Sequence, residues 1–511
     1  MHLDNKKSTF IFTAIIIVSV IFLNIISRNW FARFDLTDNK MYSLSSSSKS
    51  VVGKIDDLFT IKIYFSDQLP GQYGNNRRYL QDILEEYSAY SSGNLRFEFY
   101  VPDSDEDLAA DAQKYGIQPV QLQVVENDKV EIKKVYMGLV LLYEDKRETI
   151  PVIQTSTGLE YDITTKIKQM VEDKRNVIGI ASIGSNLVEN QNLIQSLNER
   201  YMVQPNIALS TPIPDNIEVL LINGINDSLA VNEEKELRAY INRGGNVFIA
   251  QNHISVDIQT QQANPIQSNI FDLLQSYGLE LNENLVLDNN CGQVNVQQQV
   301  GPFRMAVPMD YPFLPVIKKF NKDELMVNGL ESMSLIFPSE IKSDSVYADN
   351  LVEFVPLLFT SNQSGIMSQF YNLNPDKKVN PIFNQLNLNS LVVGARSLIA
   401  NQTSGTQSNI VLVSDSRFFS DQGGGGSAEN RIFTMNVLDF MFGDSELISL
   451  RSREVTDRPL LSEADGVDSK VRLTWKIVNM LLPSGFVIGL GVFIMRYNRK
   501  RSEKIKAEFN E

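Results

Sequence analysis

Two uncharged apolar runs, one near each end of the chain, constrain this sequence more than anything between them. Residues 9–26 (TFIFTAIIIVSVIFLNII) carry no charge and one amide, Asn24. At about 1.5 Å per residue, a helix of that length nearly crosses a hydrocarbon core of about 30 Å. A cleaved signal peptide would have a shorter apolar stretch, about 7–15 residues, and a small-residue cleavage site. Here Arg28, Asn29, Trp30 and Phe31 follow, with an interfacial aromatic pair, so an uncleaved anchor is expected. Residues 477–495 (IVNMLLPSGFVIGLGVFIM) are also uncharged, with Arg472, Trp475 and Lys476 before them. Arg496, Arg499, Lys500, Arg501, Lys504 and Lys506 come after. A basic cluster beside a span marks its cytoplasmic side. Lys6 and Lys7 say the same of the other end, more weakly, because Arg28 and Arg33 lie across the span. Both termini are therefore expected inside and the body between the spans outside. A segment that long is translocated whatever its own charge.

The second run contains Gly485-x-x-x-Gly489, a spacing that lets another helix approach closely. One helix at each end cannot line a transport path, so a polytopic partner would have to supply any pore. The net charge of −14 argues against nucleic acid, which needs a basic face. The single cysteine, Cys291, excludes an internal disulfide and a thiolate metal site. The two histidines, His2 and His253, are far apart, so neither a metal nor a cofactor is expected.

Between the spans, apolar periodicity outlines two α/β units. Residues 28–57 form a juxtamembrane segment, in which Ser43 or Ser45 can cap a short helix reaching about residue 55. Strands at 58–65 and 95–101 enclose a helix at 77–90 with Leu80, Ile83, Leu84 and Tyr87 on one face. A helix at 105–115, a strand at 120–125 and a hairpin of 129–134 with 135–143 complete a unit over 58–155. This order resembles a thioredoxin-like layout, although no C-x-x-C is present, which excludes thiol redox chemistry. A connecting helix (156–175) leads to a second unit, 176–444. Short apolar strands at 177–181, 219–222 and 247–250 alternate with helices at 190–201 and 232–242, the pattern of a doubly wound parallel sheet. The phrase NEEKELRAYINRGGNVFIA is similar to the helix–Gly-Gly–strand passage of class I glutamine-amidotransferase-like domains. Residues 255–345, rich in Gln, Asn and Pro, read as an insertion. Strands at 391–395 and 410–414 and a helix at 431–442 with Phe433, Val437, Leu438 and Met441 inward resume the pattern. A polar linker (445–474) would precede the second span (475–495) and a basic tail (496–511). QGGGGS, residues 422–427, reads as a flexible loop.

Ligands in open α/β sheets bind beyond the carboxyl ends of the strands. The residues just after each strand are therefore the candidate cleft: Ser182, Ser185 and Asn186, then Gln251 and His253, then Asp415, Arg417 and Asp421. His253 with Asp257 or Asp415 can be drawn as a triad on Ser185, but no G-x-S-x-G is present. Cys291 stands in DNNCGQ, outside any strand-turn-helix elbow. No catalytic residue is assigned, and a binding or docking surface is expected over a hydrolase or ligand sensor. No Walker A loop occurs, so any ATP-driven role needs a separate ATPase.

The string Arg33-Phe34-Asp35-Leu36-Thr37, followed by Lys40, Tyr42, Ser43, Leu44 and Ser45, resembles the opening of the GldG family of gliding-motility-associated ABC-transporter auxiliary proteins. SDSRFFSDQ…ENRIFTMNVLDFM, residues 414–441, is similar to that family's closing motif. The resemblance implies a non-catalytic, substrate-binding-like auxiliary subunit in a bacterial inner membrane, with a large periplasmic domain. Its implied partners are a permease, a separate ATPase and membrane lipid. It leaves open an envelope ligand and a dimer within the complex. The expected fold class is thus α/β: two transmembrane helices flank an extracytoplasmic body with a small thioredoxin-like domain and a larger amidotransferase-like doubly wound domain.

Overall fold

The computed structural model describes residues 15–17, 19 and 43–508, except 68, 70, 127–128, 157, 173–174, 183–189, 301–302, 344–351, 389, 401–404, 422 and 455–468. The expected first span lies outside the described residues apart from positions 15–17 and 19, which are helical.

Helix α1 (Ser46–Val52) starts where Ser45 caps it, the Ser45 hydroxyl accepting from the Ser48 amide. Strand β1 (Phe59–Phe65) pairs in parallel with β2 (Leu95–Tyr100) across α2 (Gly71–Tyr90). Leu80, Ile83, Leu84 and Tyr87 are buried, as their spacing predicts. Asp105 caps α3 (Glu106–Lys114) by accepting from the amides of Asp107 and Leu108. The expected hairpin is corrected here. Strand β4 (Lys129–Val135) pairs back onto β3 (Val120–Glu126), while β5 (Met137–Tyr143) enters the main sheet. Burial separates the two. The MGLVLLY of β5 is apolar throughout and is covered by β1 on one edge and β6 (Lys146–Ile150) on the other, whereas KVEIKKV mixes charged and apolar residues and leaves Ile132 71% exposed. The sheet order is β2-β1-β5-β6.

Helix α4 (Leu159–Val171) leads to an eight-stranded sheet. Its parallel part is built from β7 (Val177–Ser182), β8 (Met202–Ala208), β9 (Val219–Asn223) and β10 (Asn246–Ala250), with α5 (Gln191–Asn198) and α6 (Val231–Asn242) as crossovers. The short helix α7 (Ile270–Ser276) follows. Three antiparallel strands extend the sheet, β11 (Lys319–Phe320), β12 (Val352–Phe359) and β13 (Val392–Ala400), and β14 (Gln407–Val413) then lies parallel to β10. The order is β11-β12-β13-β14-β10-β9-β7-β8. Alternate residues bury into two separate cores. Phe248 packs with Leu193, Leu197 and Phe433 on one face, while Val247 and Ile249 pack with Leu237, Tyr240 and Ile270 on the other. Double-sided burial is why these strands read as unbroken apolar runs. Edge strand β8 was not expected, because its exposed and half-exposed residues break that pattern.

Three further readings change. The 255–345 segment is largely β, including a long hairpin of Cys291–Val300 with Phe303–Ile317, and MDYPFLP buries Tyr311 and Phe313 in an aromatic cluster with Phe337 and Phe383. The polar linker begins instead as helix α9 (Ser445–Glu454), following α8 (Ala428–Met441) and burying Ile448, Leu450 and Arg451. The glycine run is packed, not loose: a Cβ on Gly423 would stand 2.4 Å from the Arg417 carbonyl oxygen, and one on Gly424 2.6 Å from Asn430 Nδ2.

Residues 456–511 form a separate compact unit. Helix α10 (Ser469–Glu508) contains a 31-residue stretch, Leu473–Glu503, long and apolar enough to cross a membrane, with none of its most apolar window buried by protein. At about 1.5 Å per residue the 40-residue helix is about 60 Å long, so it outruns an apolar core and carries its basic end as helix.

Candidate functional site

Because β9, β10 and β14 are parallel, the loops at their carboxyl ends converge. A cavity of about 470 Å³ lies among them. Gly224 and Asn226 follow β9, Asn252 and Ser255 follow β10, and Ser416, Arg417 and Ser420 follow β14; Ile336 and Phe337 close another wall. Arg417 is its one charged lining residue among those described, and the other polar groups are amides and hydroxyls. A Cβ on Gly224 would stand 2.8 Å from that of Ser416, so only glycine lets these two loops meet so closely.

The walls are fixed by groups beneath them. Gln251 is fully buried and staples two loops: its Oε1 accepts from the Ile225 amide at 2.6 Å, and its Nε2 donates to the carbonyls of Ile225 and Asn252. Asp415, also fully buried, accepts from the amides of Ile336 and Arg417, both at 2.8 Å. Burial raises its carboxyl to about 7, against the pull of those two bonds. Next to Ile336, Phe337 has φ of 50°, a strained value for a bulky side chain. Asp415 therefore holds the strained wall in place from below. Arg417 donates to the Val256 carbonyl at 2.9 Å and is exposed at the rim. Asn252 Nδ2 donates to the Ile254 carbonyl, which leaves its buried Oδ1 without a partner.

Of the expected site residues, Arg417 lines this cleft, while Gln251 and Asp415 support it. His253 is turned away: its Nδ1 lies 2.7 Å from the Leu281 carbonyl oxygen and its ring stacks on Phe271 at 3.7 Å. Burial lowers its pKa. His253 and Asp415 thus each bond backbone groups rather than each other, and Asp257 accepts from the amides of Gln259 and Thr260. Ser182 ends β7 and does not line the cavity. Asp421 accepts from the Asn192 amide at the start of α5. Ser185 and Asn186 lie outside the described residues. Cys291 opens the long hairpin and is half-buried. Among the described residues no three His, Cys, Asp or Glu side chains gather as a metal site.

The terminal motifs have structural work. Phe34, Asp35, Leu36, Thr37 and Tyr42 lie outside the described residues. Beyond them, the Leu44 amide donates to Glu86 and the Ser45 amide to Glu160, each at 2.8 Å, and both carboxylates are buried. In the closing motif, Phe418, Phe419 and Phe433 pack around Phe248. Gly485 and Gly489 face open space along α10.

An uncharacterized protein of Borreliella burgdorferi is 24% identical over 506 residues, covering 95% of this chain and 96% of that one. Among solved structures, the mmIFT52 N-terminal domain aligns over 56% of this chain and 100% of its own length, at 13% identity and a TM-score of 0.34. A ThuA-like protein from Bacteroides uniformis aligns over 52% of this chain and 90% of its own, at 10% identity and a TM-score of 0.30. Similarities that shallow carry no argument. A domain of unknown function matches residues 38–142. Residues 152–444, more than half of the 511, match the family described as an ABC-type uncharacterized transport system, and the chain belongs to that family.

Proposed function

We propose that this chain is the auxiliary membrane subunit of an ABC transporter serving gliding motility, and that its body binds a polar cargo or envelope component in the strand-end cleft. Family membership associates the chain with transporter components. The observation that carries the binding role is the cleft itself: about 470 Å³, with converging amides and hydroxyls, one rim arginine and the unpartnered Asn252 Oδ1. Such a surface suits a hydroxyl-bearing or anionic ligand, held by hydrogen bonds and oriented by Arg417.

In this reading both termini are cytoplasmic, the body is periplasmic, and the end helices dock on a permease whose separate ATPase supplies energy. Gly485 and Gly489 mark the face of α10 where another helix would pack. The first lobe is read as thioredoxin-like because β2-β1-β5-β6 joins one parallel pair to an antiparallel hairpin. The amidotransferase-like reading of the second rests on the order β8-β7-β9-β10-β14. Purification from native membranes in mild detergent tests the assignment. A permease and an ATPase should co-elute with the chain; a chain that always runs alone would sink it. Arg417→Gln should leave the complex assembled and deplete any small molecule that travels with it.

A further inference from the structure

A second cavity, of about 230 Å³, lies where α4 meets the larger sheet domain. Unlike the strand-end cleft it is lined by charge, so the first question is which charges are already matched. Asp439 is held by Arg451 and by the Tyr201 hydroxyl. Asp444 is held by Lys168, and Glu172 by Lys54 at 3.0 Å and by Lys168 at 3.8 Å. Arg175 pairs with Glu148 at 3.4 Å. One cation remains. Arg200 stacks 4.2 Å from the Tyr161 ring centroid, and its Nη1 is buried without a hydrogen-bond partner. Asp439, which acts on it electrostatically, is already committed to Arg451 and Tyr201. Burial lowers the Arg200 pKa only to about 10, so the guanidinium stays charged at neutral pH.

Two more buried atoms in the same lining have no partner, Thr165 Oγ1 and Gln169 Oε1. The Gln169 amide cannot be turned round to remove the problem. Its Nε2 faces the carbonyls of Arg200 at 3.3 Å and Glu199 at 3.5 Å, and a flip would set oxygen against oxygen. The cavity thus presents a guanidinium donor, a hydroxyl that can donate, and a carbonyl that can only accept. Buried polar groups are normally satisfied, and three orphans carried by residues that line one small space point to a single shared partner.

We propose that this interdomain cavity binds a small oxyanion that also carries a hydroxyl, the chemistry of hydrogen phosphate or of a 2-hydroxycarboxylate. Arg200 Nη1 and the Thr165 hydroxyl donate to the anionic oxygens, and the ligand hydroxyl donates to Gln169 Oε1. A bare oxyanion leaves Gln169 Oε1 unsatisfied, and a neutral alcohol leaves Arg200 without its counter-charge. Thr165 and Gln169 belong to α4, and Arg200 to the turn before β8, so the ligand ties the connecting helix to the edge of the sheet.

The test uses the full-length chain in detergent, followed by calorimetric titration and thermal unfolding at matched ionic strength. The probes are inorganic phosphate, sulfate, glycolate, acetate and chloride. Phosphate should bind saturably, raise the melting temperature by mass action, and bind about tenfold more tightly than sulfate, which has no hydroxyl at neutral pH. A glycolate response that exceeds acetate, without one to phosphate, assigns the carboxylate source instead. Arg200→Met keeps the apolar stem over Tyr161 and should abolish binding. Thr165→Val is nearly isosteric and removes an unpartnered hydroxyl, so it should fold at least as stably while weakening binding about tenfold. Equal responses to sulfate or chloride, no saturable binding by any probe, or undiminished binding in Thr165→Val would each overturn the proposal.

Discussion

The strand-end cleft and the interdomain cavity are built on opposite principles. The cleft is wide, ringed by neutral amides and hydroxyls, and supported from beneath by the buried Gln251 and Asp415. The cavity is small and lined by ion pairs whose members come from distant parts of the chain, as when Lys168 reaches Asp444, 276 residues away. A neutral cleft tolerates loss of any one lining group, because its remaining donors and acceptors can turn to water. A buried charge network does not, because each member is the counter-charge of another. Stability should therefore be concentrated at the cavity, and ligand selectivity at the cleft.

The sharpest way to break that contrast is Arg451→Met. The Arg451 and Asp439 side chains are 8% and 2% exposed, and Arg451 also bonds Asn436 and the Tyr161 hydroxyl. Removing it leaves Asp439 buried with the Tyr201 hydroxyl and the more distant charge of Arg200, at a cost of about 3–5 kcal/mol in chemical denaturation. Adding Asp439→Asn should recover part of the loss, since the uncompensated charge then disappears. If Arg451→Met costs no more than a surface change, the network is not what joins the two lobes. At the cleft, Gly423→Ala should be milder, about 1–3 kcal/mol, the cost of overpacking, because its Cβ would stand 2.4 Å from the Arg417 backbone carbonyl oxygen and the loop must shift to admit it. Its larger effect should fall on ligand affinity, through the displaced Arg417.

A pH series separates the two regions next. Burial raises the Asp415 carboxyl under the cleft to about 7 and also raises Asp444 at the cavity. A raised carboxyl binds its proton more tightly in the folded chain than in the unfolded one. Its contribution is therefore complete below the ordinary carboxylate pKa and is lost as pH rises toward 7, by at most about 1.4 kcal/mol per pH unit for one proton. His253, lowered by burial, acts the other way and weakens the fold as pH falls below its ordinary value. Denaturation between pH 5 and 7.5 should show stability falling toward neutrality. Asp415→Asn should flatten that slope more than Asp444→Asn does, and the reverse ranking would move the pH-sensitive point to the cavity.

Much of the cleft was legible because it follows from local pattern. Apolar runs such as VLLI and VFIA announce parallel strands, and strand ends then announce Gln251, Asp415 and Arg417. Ile336 and Phe337 were not legible. They enter from the insertion, and the Asp415 bond that places Ile336 spans 79 residues. His253 misled because a histidine beyond a strand looks chemical, whereas Leu281 and Phe271, which claim it, lie outside the local pattern. The cavity could not be read at all. Arg200 follows a short helix in a polar stretch, and its meaning depends on the other described cations of the lining, Lys168 and Arg175, already having partners. In α9, Arg451 hides the buried Ile448 and Leu450 among charged residues, so a packed helix reads as linker.

The smallest expected effect asks whether the opening motif belongs to the cavity side of the contrast. Ser45 caps α1 through its hydroxyl at 3.0 Å from the Ser48 amide, while its own amide donates to Glu160 on α4. Ser48 also donates to Glu160, and its hydroxyl lies 2.8 Å from that of Thr164. Ser45→Ala removes the cap and keeps the amide bond, so it should cost about 1 kcal/mol, whereas Ser45→Gly should cost only a few tenths. If the cap acts on α1 alone, hydrogen exchange should quicken in α1 and stay unchanged in α4. Faster exchange in both helices would show that the serine-rich opening holds α4, and with it Thr165 and Gln169, in register with the sheet domain.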